Sequence, residues 1–349
     1  MKPVTVPFFI SHQGCPHTCV FCDQRAISGA DGTIPTAEQI LARIDLWSST
    51  AGGRPLEVAF FGGTFTALPQ EAQSKLLAPL QPLLKGGTVN SVRISTRPDA
   101  IDADRVAWLS ERGVRTIELG VQSMDDAVLA ASGRGHSAAE PINAIRCIKN
   151  GGLRAGAQLM PGLPGDTPAS SFASLEQVIS AGADFLRIYP TVVLKGTELA
   201  RRYAAGEFAP LPLDRGVSLC KLLLQRAMQA GIPVVRIGLQ ADQGLDEESV
   251  LAGCWHPALG QLVRSRLYAD LISRFVSPGE RVTVWCHPAR YSDVVGMKRS
   301  NLQSLAVRGV QIKVVPDAAL NKEELKVQTK ESTAIYSIIK DLYYSIHEV

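Results

Sequence analysis

The chain has no stretch approaching the ~20 consecutive apolar residues that a membrane-spanning helix needs, so none of its 349 residues reads as part of a transmembrane segment and no membrane partner is expected. It has no strong charge imbalance. Lys and Arg number 36 against 33 Asp and Glu, a net charge of +3, and composition alone therefore points to neither nucleic acid nor a lipid surface. The first residues, MKPVTVPFFISHQG, hold one lysine and a short apolar run but no small-residue cleavage site, so a first strand is expected there rather than a signal peptide. Aromatics are few at 6%, and no row of them is spaced for stacking bases. The cysteines lack even pairing. There are seven, and three of them, Cys15, Cys19 and Cys22, fall within eight residues. That argues against a secreted disulfide framework and for a reducing, cytoplasmic setting with metal chemistry. Apolar content of 46% and charged content of 20% are those of a globular protein with a sizeable core.

What is present is alternation. VTVPFFI, LEVAFFGG, SVRIST, RTIELGVQS, LRAGAQLMPGLP and DFLRIYPTVV have strand character, and each precedes a segment with apolar residues at helical spacing. A seventh strand, PVVRIGL, follows the sixth helix. Strand–helix repetition of this kind means a parallel sheet with right-handed crossovers. Six units and one further strand predict an α/β fold, a partial (β/α)6 TIM-type barrel open on one side, rather than a doubly wound sheet. The irregular residues collect after the strands, where such folds gather ligands: the cysteines, Gly62-Gly63-Thr64, Thr96 to Asp99, Gln122-Ser123 and Pro161 to Pro164. Near Ala241 the pattern changes to the polar, acidic ADQGLDEES. A boundary there separates a barrel over 1–240 from a small α+β subdomain over 241–349. Within the latter, VTVWCHP, RSNLQSLAVRG and VQIKVVP predict strand, helix and strand, and STAIYSIIKDLYYSI predicts a terminal helix.

Thiolates at short spacing in a loop bind zinc or iron–sulfur clusters. Three thiolates on a four-iron cubane leave one iron open to substrate. A zinc knuckle that adds His17 or His12 is the competing reading, although a Cys-x-His-x-Cys step is cramped for one tetrahedral ion. The Cys-x3-Cys-x2-Cys spacing after a first strand resembles the radical S-adenosylmethionine (SAM) family. That resemblance implies a [4Fe–4S] cluster on Cys15, Cys19 and Cys22, with SAM chelated at the open iron. It also implies reductive cleavage of SAM to a 5′-deoxyadenosyl radical and a one-electron donor such as a flavodoxin or ferredoxin as partner.

The resemblance extends to the SAM contacts. Phe21 stands where the family packs an aromatic on adenine; the bland alternative is a core residue of the loop. In FFGGTFT, Gly62 and Gly63 stand where backbone carbonyls accept from the methionyl ammonium, and Thr64 adds a hydroxyl; the alternative is a tight turn. Gln122 in ELGVQS falls at the ribose-binding position, and Arg134 in SGRGH matches the arginine whose planar fork pairs with the methionyl carboxylate. A surface arginine is the alternative there. Gln158 and Ser95 occupy positions where the coproporphyrinogen-dehydrogenase branch has an aspartate and a glutamate, so two acidic ribose contacts are missing and that branch is disfavoured. Over about residues 5–215 the motifs CPHTCVFCDQ, FFGGTFT, STRPDAI, ELGVQSMDDAVL, LMPGLPGDT and RIYPTVVLKGTEL most resemble the radical domain of the Elongator catalytic-subunit family. That family modifies transfer RNA, which makes tRNA or another RNA the expected substrate. No acetyltransferase domain is expected, because no glycine-rich acetyl-CoA loop follows Gly238.

Residues 281–313 hold six Lys and Arg against one acid, Asp293. Lys298 and Arg299 precede a predicted helix and are the candidate phosphate-binding residues; a solvated basic face is the alternative. Cys254, His256, Cys286 and His287 are weak candidates for a second metal site, since adjacent strand residues point to opposite faces. Two alternatives to an RNA-modifying enzyme stand beside it. One is a coproporphyrinogen-dehydrogenase-like oxidoreductase acting on a porphyrin or small molecule. The other is a non-catalytic cluster or haem carrier.

Overall fold

The computed structural model describes residues 3–16, 19–23, 33–239 and 248–346. In chain order the first part runs β1 (Val4–Phe9), α1 (Ala37–Thr50), β2 (Leu56–Phe61), α2 (Gln70–Leu77), α3 (Gln81–Lys85), β3 (Val89–Thr96), α4 (Ala103–Glu111), β4 (Val114–Gln122), α5 (Asp126–Ala131), α6 (Ala139–Asn150), β5 (Arg154–Leu159), α7 (Pro168–Ser180), β6 (Phe185–Ile188), β7 (Val192–Leu194), α8 (Glu198–Ala204), α9 (Leu213–Gln229) and β8 (Val234–Ile237). The helix starts follow from local chemistry. Thr36 and Gln39 form a reciprocal capping box at α1, Asp102 caps α4, and Thr167 caps α7 with proline behind it. Pro79 and Pro82 break the second predicted helix into α2, one 3-10 turn and α3, because proline lacks the donor a helix interior requires.

Seven strands pair in the order β1-β2-β3-β4-β5-β6-β8, all parallel. The order follows the chain without reversal. A doubly wound sheet reverses at a switch point, whereas unreversed right-handed crossovers put every helix on one face and let the sheet curl inside them. Among the described residues β1 and β8 are opposite edges and do not pair, so the barrel is partial, as predicted. On the outer face Val58, Phe60, Ile94, Ile117 and Leu119 are wholly buried under the helices, each contributing about 1.5–3 kcal/mol of burial free energy.

The sixth predicted strand is two. Pro190 has no N–H for a ladder, and the chain turns after β6 into β7, which pairs antiparallel with β9 (Val250–Gly253) outside the main sheet. Beyond β9 come α10 (Leu259–Phe275), β10 (Arg281–Cys286), α11 (Tyr291–Val295), α12 (Ser300–Val307), β11 (Gln311–Pro316), β12 (Glu324–Gln328) and β13 (Thr333–Ser337). The last four strands form one sheet in the order β11-β10-β12-β13. The predicted terminal helix is absent: Thr333–Ser337 pairs antiparallel with β12, and Tyr336 stacks on Phe275 with centroids 3.7 Å apart. The helically spaced Ile338 and Leu342 instead run as irregular chain along α9, where Gln225 donates from Nε2 to both of their carbonyls. A side chain thus satisfies carbonyls that a helix would have bonded itself. The proposed boundary near Ala241 and the acidic segment around it lie outside the described residues, apart from Glu248 and Ser249.

Candidate functional site

The cysteine loop is fastened to the end of β2. Ile10 N–H donates to Phe61 O at 2.8 Å, His12 N–H to Gly62 O at 3.0 Å and Thr64 N–H to Gln13 O at 2.9 Å. A Cβ on Gly63 would come within 2.5 Å of Ile10 O and 2.6 Å of Gln13 O, and one on Gly14 would collide with Thr64 O. Gly63 is therefore required by the close approach of two backbone segments. The carbonyl of Gly62 already accepts from His12 and keeps its second lone pair. Thr64 is buried, with its hydroxyl 3.4 Å from Cys15 Sγ.

The second half of the loop is gripped from another side. Val20 N–H donates to Ser132 O at 3.1 Å and Leu199 N–H to Val20 O at 2.7 Å. Cys19, Val20 and Phe21 bury against Val128, Leu163, Val193 and Leu199. The helices α5 and α8, neither of which was expected from sequence, thus act as the back wall of the cysteine loop. Phe21 belongs to that apolar cluster.

Arg134 is not a surface residue. It is 7% exposed. Its Nη1 lies 3.6 Å from Cys19 Sγ, its Nη2 donates to Gly120 O, and its Nε donates to His136 Nε2 at 3.1 Å. A side chain on Gly120 would stand 2.7 Å from Arg134 Nη2 and 3.0 Å from Gln122 Nε2, so this glycine leaves the space those two groups use. His136 accepts at Nε2 while Nδ1 faces Ser137 O at 3.1 Å, the pattern of a neutral ring. Burial and the Arg134 charge hold its pKa below the ordinary histidine value. Gln122 has φ +71° at the end of β4, a left-handed backbone that glutamine rarely adopts. Such strain collects at functional sites. Gln158 Nε2 donates to Gln122 Oε1 at 3.0 Å, joining the ends of β4 and β5. Ser95 lies in register with Glu118 on the neighbouring strand.

The thiols themselves form a set. Burial, then Cys19 and Cys15, push Cys22 up to about 12, against the pull of Arg134. Among the described residues no group of three or more His, Cys, Asp or Glu side chains is arranged to hold a metal ion. His12 faces Asp23 at 4.0 Å, and His17 lies outside the described residues. Cys19 and Cys15 are thus both close enough to Cys22 to oppose its ionisation.

Below the mouth lies a charge network that sequence reasoning missed. Glu118, on the inner face of β4, is 6% exposed. Arg187 reaches it through Nε at 2.5 Å and Nη2 at 3.0 Å, and Arg93 through Nη1 at 2.5 Å. Arg93 also donates from Nε to Glu57 at 2.9 Å, and Arg187 from Nη1 to Tyr189 OH at 3.1 Å. Despite burial, the paired carboxylates raise both arginine pKa values. The available signal was one charge inside each of four otherwise apolar or neutral strands: LEVAFF, SVRIST, TIELGV and FLRIYP.

The remaining candidates stand apart. Lys298 and Arg299 occupy a turn with φ +51° and +64° just before α12, in the C-terminal unit. Cys254 packs on Gly216 of α9, and Cys286 is buried at the end of β10. His256 Nδ1 and His287 Nδ1 accept from Ala258 N–H and Ala289 N–H, as turn caps. Among the described residues no helix is long and apolar enough to cross a membrane.

Residues 9–175 match the model of the Radical SAM superfamily, and residues 183–269 match that of the Radical_SAM C-terminal domain. The chain belongs to the radical SAM superfamily. An uncharacterized protein of Methanocaldococcus jannaschii is 30% identical over 218 residues, covering 59% of this chain and 66% of its own length. A tRNA uridine(34) acetyltransferase of Methanocaldococcus infernus is 28% identical over 246 residues, covering 59% of this chain and 46% of its own. Human Elongator complex protein 3 is 27% identical over 173 residues, 44% of this chain and 32% of its own. The chain thus spans two thirds or less of these relatives. The solved archaeal Elp3 of Methanocaldococcus infernus shares the fold, with a TM-score of 0.60, 22% identity, and coverage of 76% of this chain and 64% of that one. Superfamily membership and these relatives support an enzyme whose substrate is unassigned. Members of the family typically use a [4Fe–4S] cluster and SAM.

Proposed function

We propose that this enzyme holds a [4Fe–4S] cluster on Cys15, Cys19 and Cys22, binds SAM beside it, and modifies RNA, with tRNA the leading substrate. The observation that carries this is the buried Arg134 guanidinium set 3.6 Å from Cys19 Sγ, together with the Thr64 hydroxyl 3.4 Å from Cys15 Sγ. The chemistry such a cofactor pair supplies is one-electron cleavage of the C5′–S bond of SAM to methionine and a 5′-deoxyadenosyl radical, with the electron coming from a flavodoxin- or ferredoxin-type donor. The chain's own residues bind and orient. Arg134 presents a planar donor pair to the methionyl carboxylate. The free lone pairs of the Gly62 and Gly63 carbonyls, with the Thr64 hydroxyl, take the ammonium. Gln122 and Gln158, already bonded to each other, are placed for the ribose hydroxyls, with Ser95 beside them on the inner wall. Phe21 backs the adenine side from its apolar cluster.

The RNA assignment is supported by the named relatives and by the basic stretch 281–313, six Lys and Arg against one acid, within the 241–349 unit that we take as a substrate-holding subdomain on the 1–240 barrel. Anaerobically reconstituted protein should release 5′-deoxyadenosine faster with bulk tRNA than without. Lys298→Ala with Arg299→Ala should weaken tRNA binding and lower its salt slope by about one unit for each phosphate no longer neutralised. Equal turnover with and without tRNA, together with unaltered tRNA affinity in the double variant, would move the substrate to a small molecule.

A further inference from the structure

The four-stranded C-terminal sheet lies beyond both family matches, and among the described residues one of its faces carries mostly half-buried and exposed side chains. Val282, Val284 and Cys286 of β10 and Leu325 and Val327 of β12 are buried on the face that packs on the helices. Side chains alternate along a strand, so Trp285 and Lys326 point the other way. The pairing register puts Val315, Trp285, Lys326 and Ile335 directly opposite one another across all four strands. Trp285 is only partly buried, and Ile335 is 58% exposed. The Lys326 ammonium sits 5.0 Å from the Trp285 ring centroid. Lys313 lies exposed on the same face of β11, two residues before Val315, and Arg281 lies exposed four residues before Trp285. Among the described strand residues of this face the acid is Glu324, which accepts from Asn321 N–H at 3.2 Å and Nδ2 at 3.0 Å.

An indole on this face, with Lys326 beside it, Lys313 and Arg281 farther along the same face and one already engaged carboxylate, matches a particular ligand chemistry. Every nucleobase has a π-face that stacks on an aromatic ring, and its phosphates need cations nearby. A duplex hides its base faces and cannot use the ring. We propose that this face is a docking platform for a single-stranded segment of RNA, with one base stacked on Trp285 and the adjoining phosphates met by Lys326, Lys313 and Arg281. This rests on the RNA assignment above and locates a second RNA-binding surface, distinct from Lys298-Arg299. The cation–π contact with Lys326 is worth about 0.5–1 kcal/mol at an exposed site, small enough for a base and its phosphate to displace.

The test is fluorescence anisotropy of a short labelled single-stranded RNA with the full chain at low salt. Trp285→Ala should weaken binding on the order of tenfold, and Trp285→Phe should keep most of the affinity, since a phenyl ring still stacks. Lys313→Gln with Lys326→Gln should lower the salt slope by roughly 0.7 for each phosphate that the two lysines no longer neutralise. The same RNA annealed to its complement should bind more weakly than the single strand. Thermal melts of each variant establish that it folds. If the parent binds the single strand and both Trp285→Ala and the lysine pair bind it equally well, the platform is wrong while the RNA assignment stands. If the parent binds neither single-stranded RNA nor tRNA, both fall. If Trp285→Ala spares RNA but abolishes binding to vesicles containing phosphatidylserine, the face is a lipid contact and the proposal is overturned.

Discussion

Glu118 and Lys313 sit mid-strand in the seven-stranded and the four-stranded sheet, and their surroundings are opposite. Glu118 is 6% exposed on the inner wall of the barrel and holds Arg93 and Arg187. Lys313 lies exposed on the open face of the four-stranded sheet. A buried charge stripped of its partner is expensive, whereas an exposed one has water. The barrel therefore uses charge as architecture beneath the cysteine triad. The C-terminal sheet leaves its charge available to something outside. The first arrangement demands that every partner be present; the second tolerates substitution at little cost to the fold.

The sharpest way to separate the two regions is to remove the triad. Replacing Cys15, Cys19 or Cys22 by alanine should abolish iron–sulfur absorbance and 5′-deoxyadenosine release, while single-stranded RNA affinity of the C-terminal face stays at the parent's level. Loss of both together would make the regions one unit. Next in size is Glu118→Ala, which strips Arg187 of its carboxylate and leaves Arg93 with Glu57 alone, and should cost about 3–5 kcal/mol of unfolding free energy. Lys313→Ala, by contrast, should stay within about 0.5 kcal/mol. Denaturant melts of the two variants measure the contrast directly, and similar midpoints would break it.

Arg134→Ala removes a charge-assisted pair worth about 1.5–3 kcal/mol, so SAM affinity by calorimetry should fall roughly tenfold to a hundredfold. Arg134→Lys should recover only part, because an ammonium cannot present the planar fork. The smallest effect concerns His136, whose folded pKa lies below the ordinary histidine value of 6.5 because of burial and the Arg134 charge. As pH falls through 6.5 toward the folded value, the unfolded chain takes up a proton that the folded protein refuses, and stability drops. His136→Gln should flatten that acid limb of the melting-temperature profile. An unchanged limb would assign it to other groups.

Much of the barrel is legible because local signals and fold agree: Thr36 with Gln39, Asp102 and Thr167 mark helix starts, and the irregular residues fall after strands. The triad is legible because three cysteines within eight residues have few structural explanations. What escapes is long-range. Glu57, Arg93, Glu118 and Arg187 come from four strands and meet only when the sheet curls. Gly63 looks like a ligand position and proves to be a packing requirement as well. Tyr336 and Ile335 fit a helical spacing but become a strand, since pairing with β12 outweighs local propensity. Trp285 is a single aromatic in the sequence, and only the register of three neighbouring strands places Lys326 and Ile335 beside it.

The central claim is that three thiolates leave one metal position open to SAM. Electron paramagnetic resonance of the anaerobically reconstituted, dithionite-reduced protein, recorded with and without SAM, tests it most directly. A reduced [4Fe–4S] signal that changes on SAM addition, and is lost in each cysteine variant, is the expected result. A signal indifferent to SAM, or a protein that retains one tightly bound zinc and forms no cluster, would contradict it.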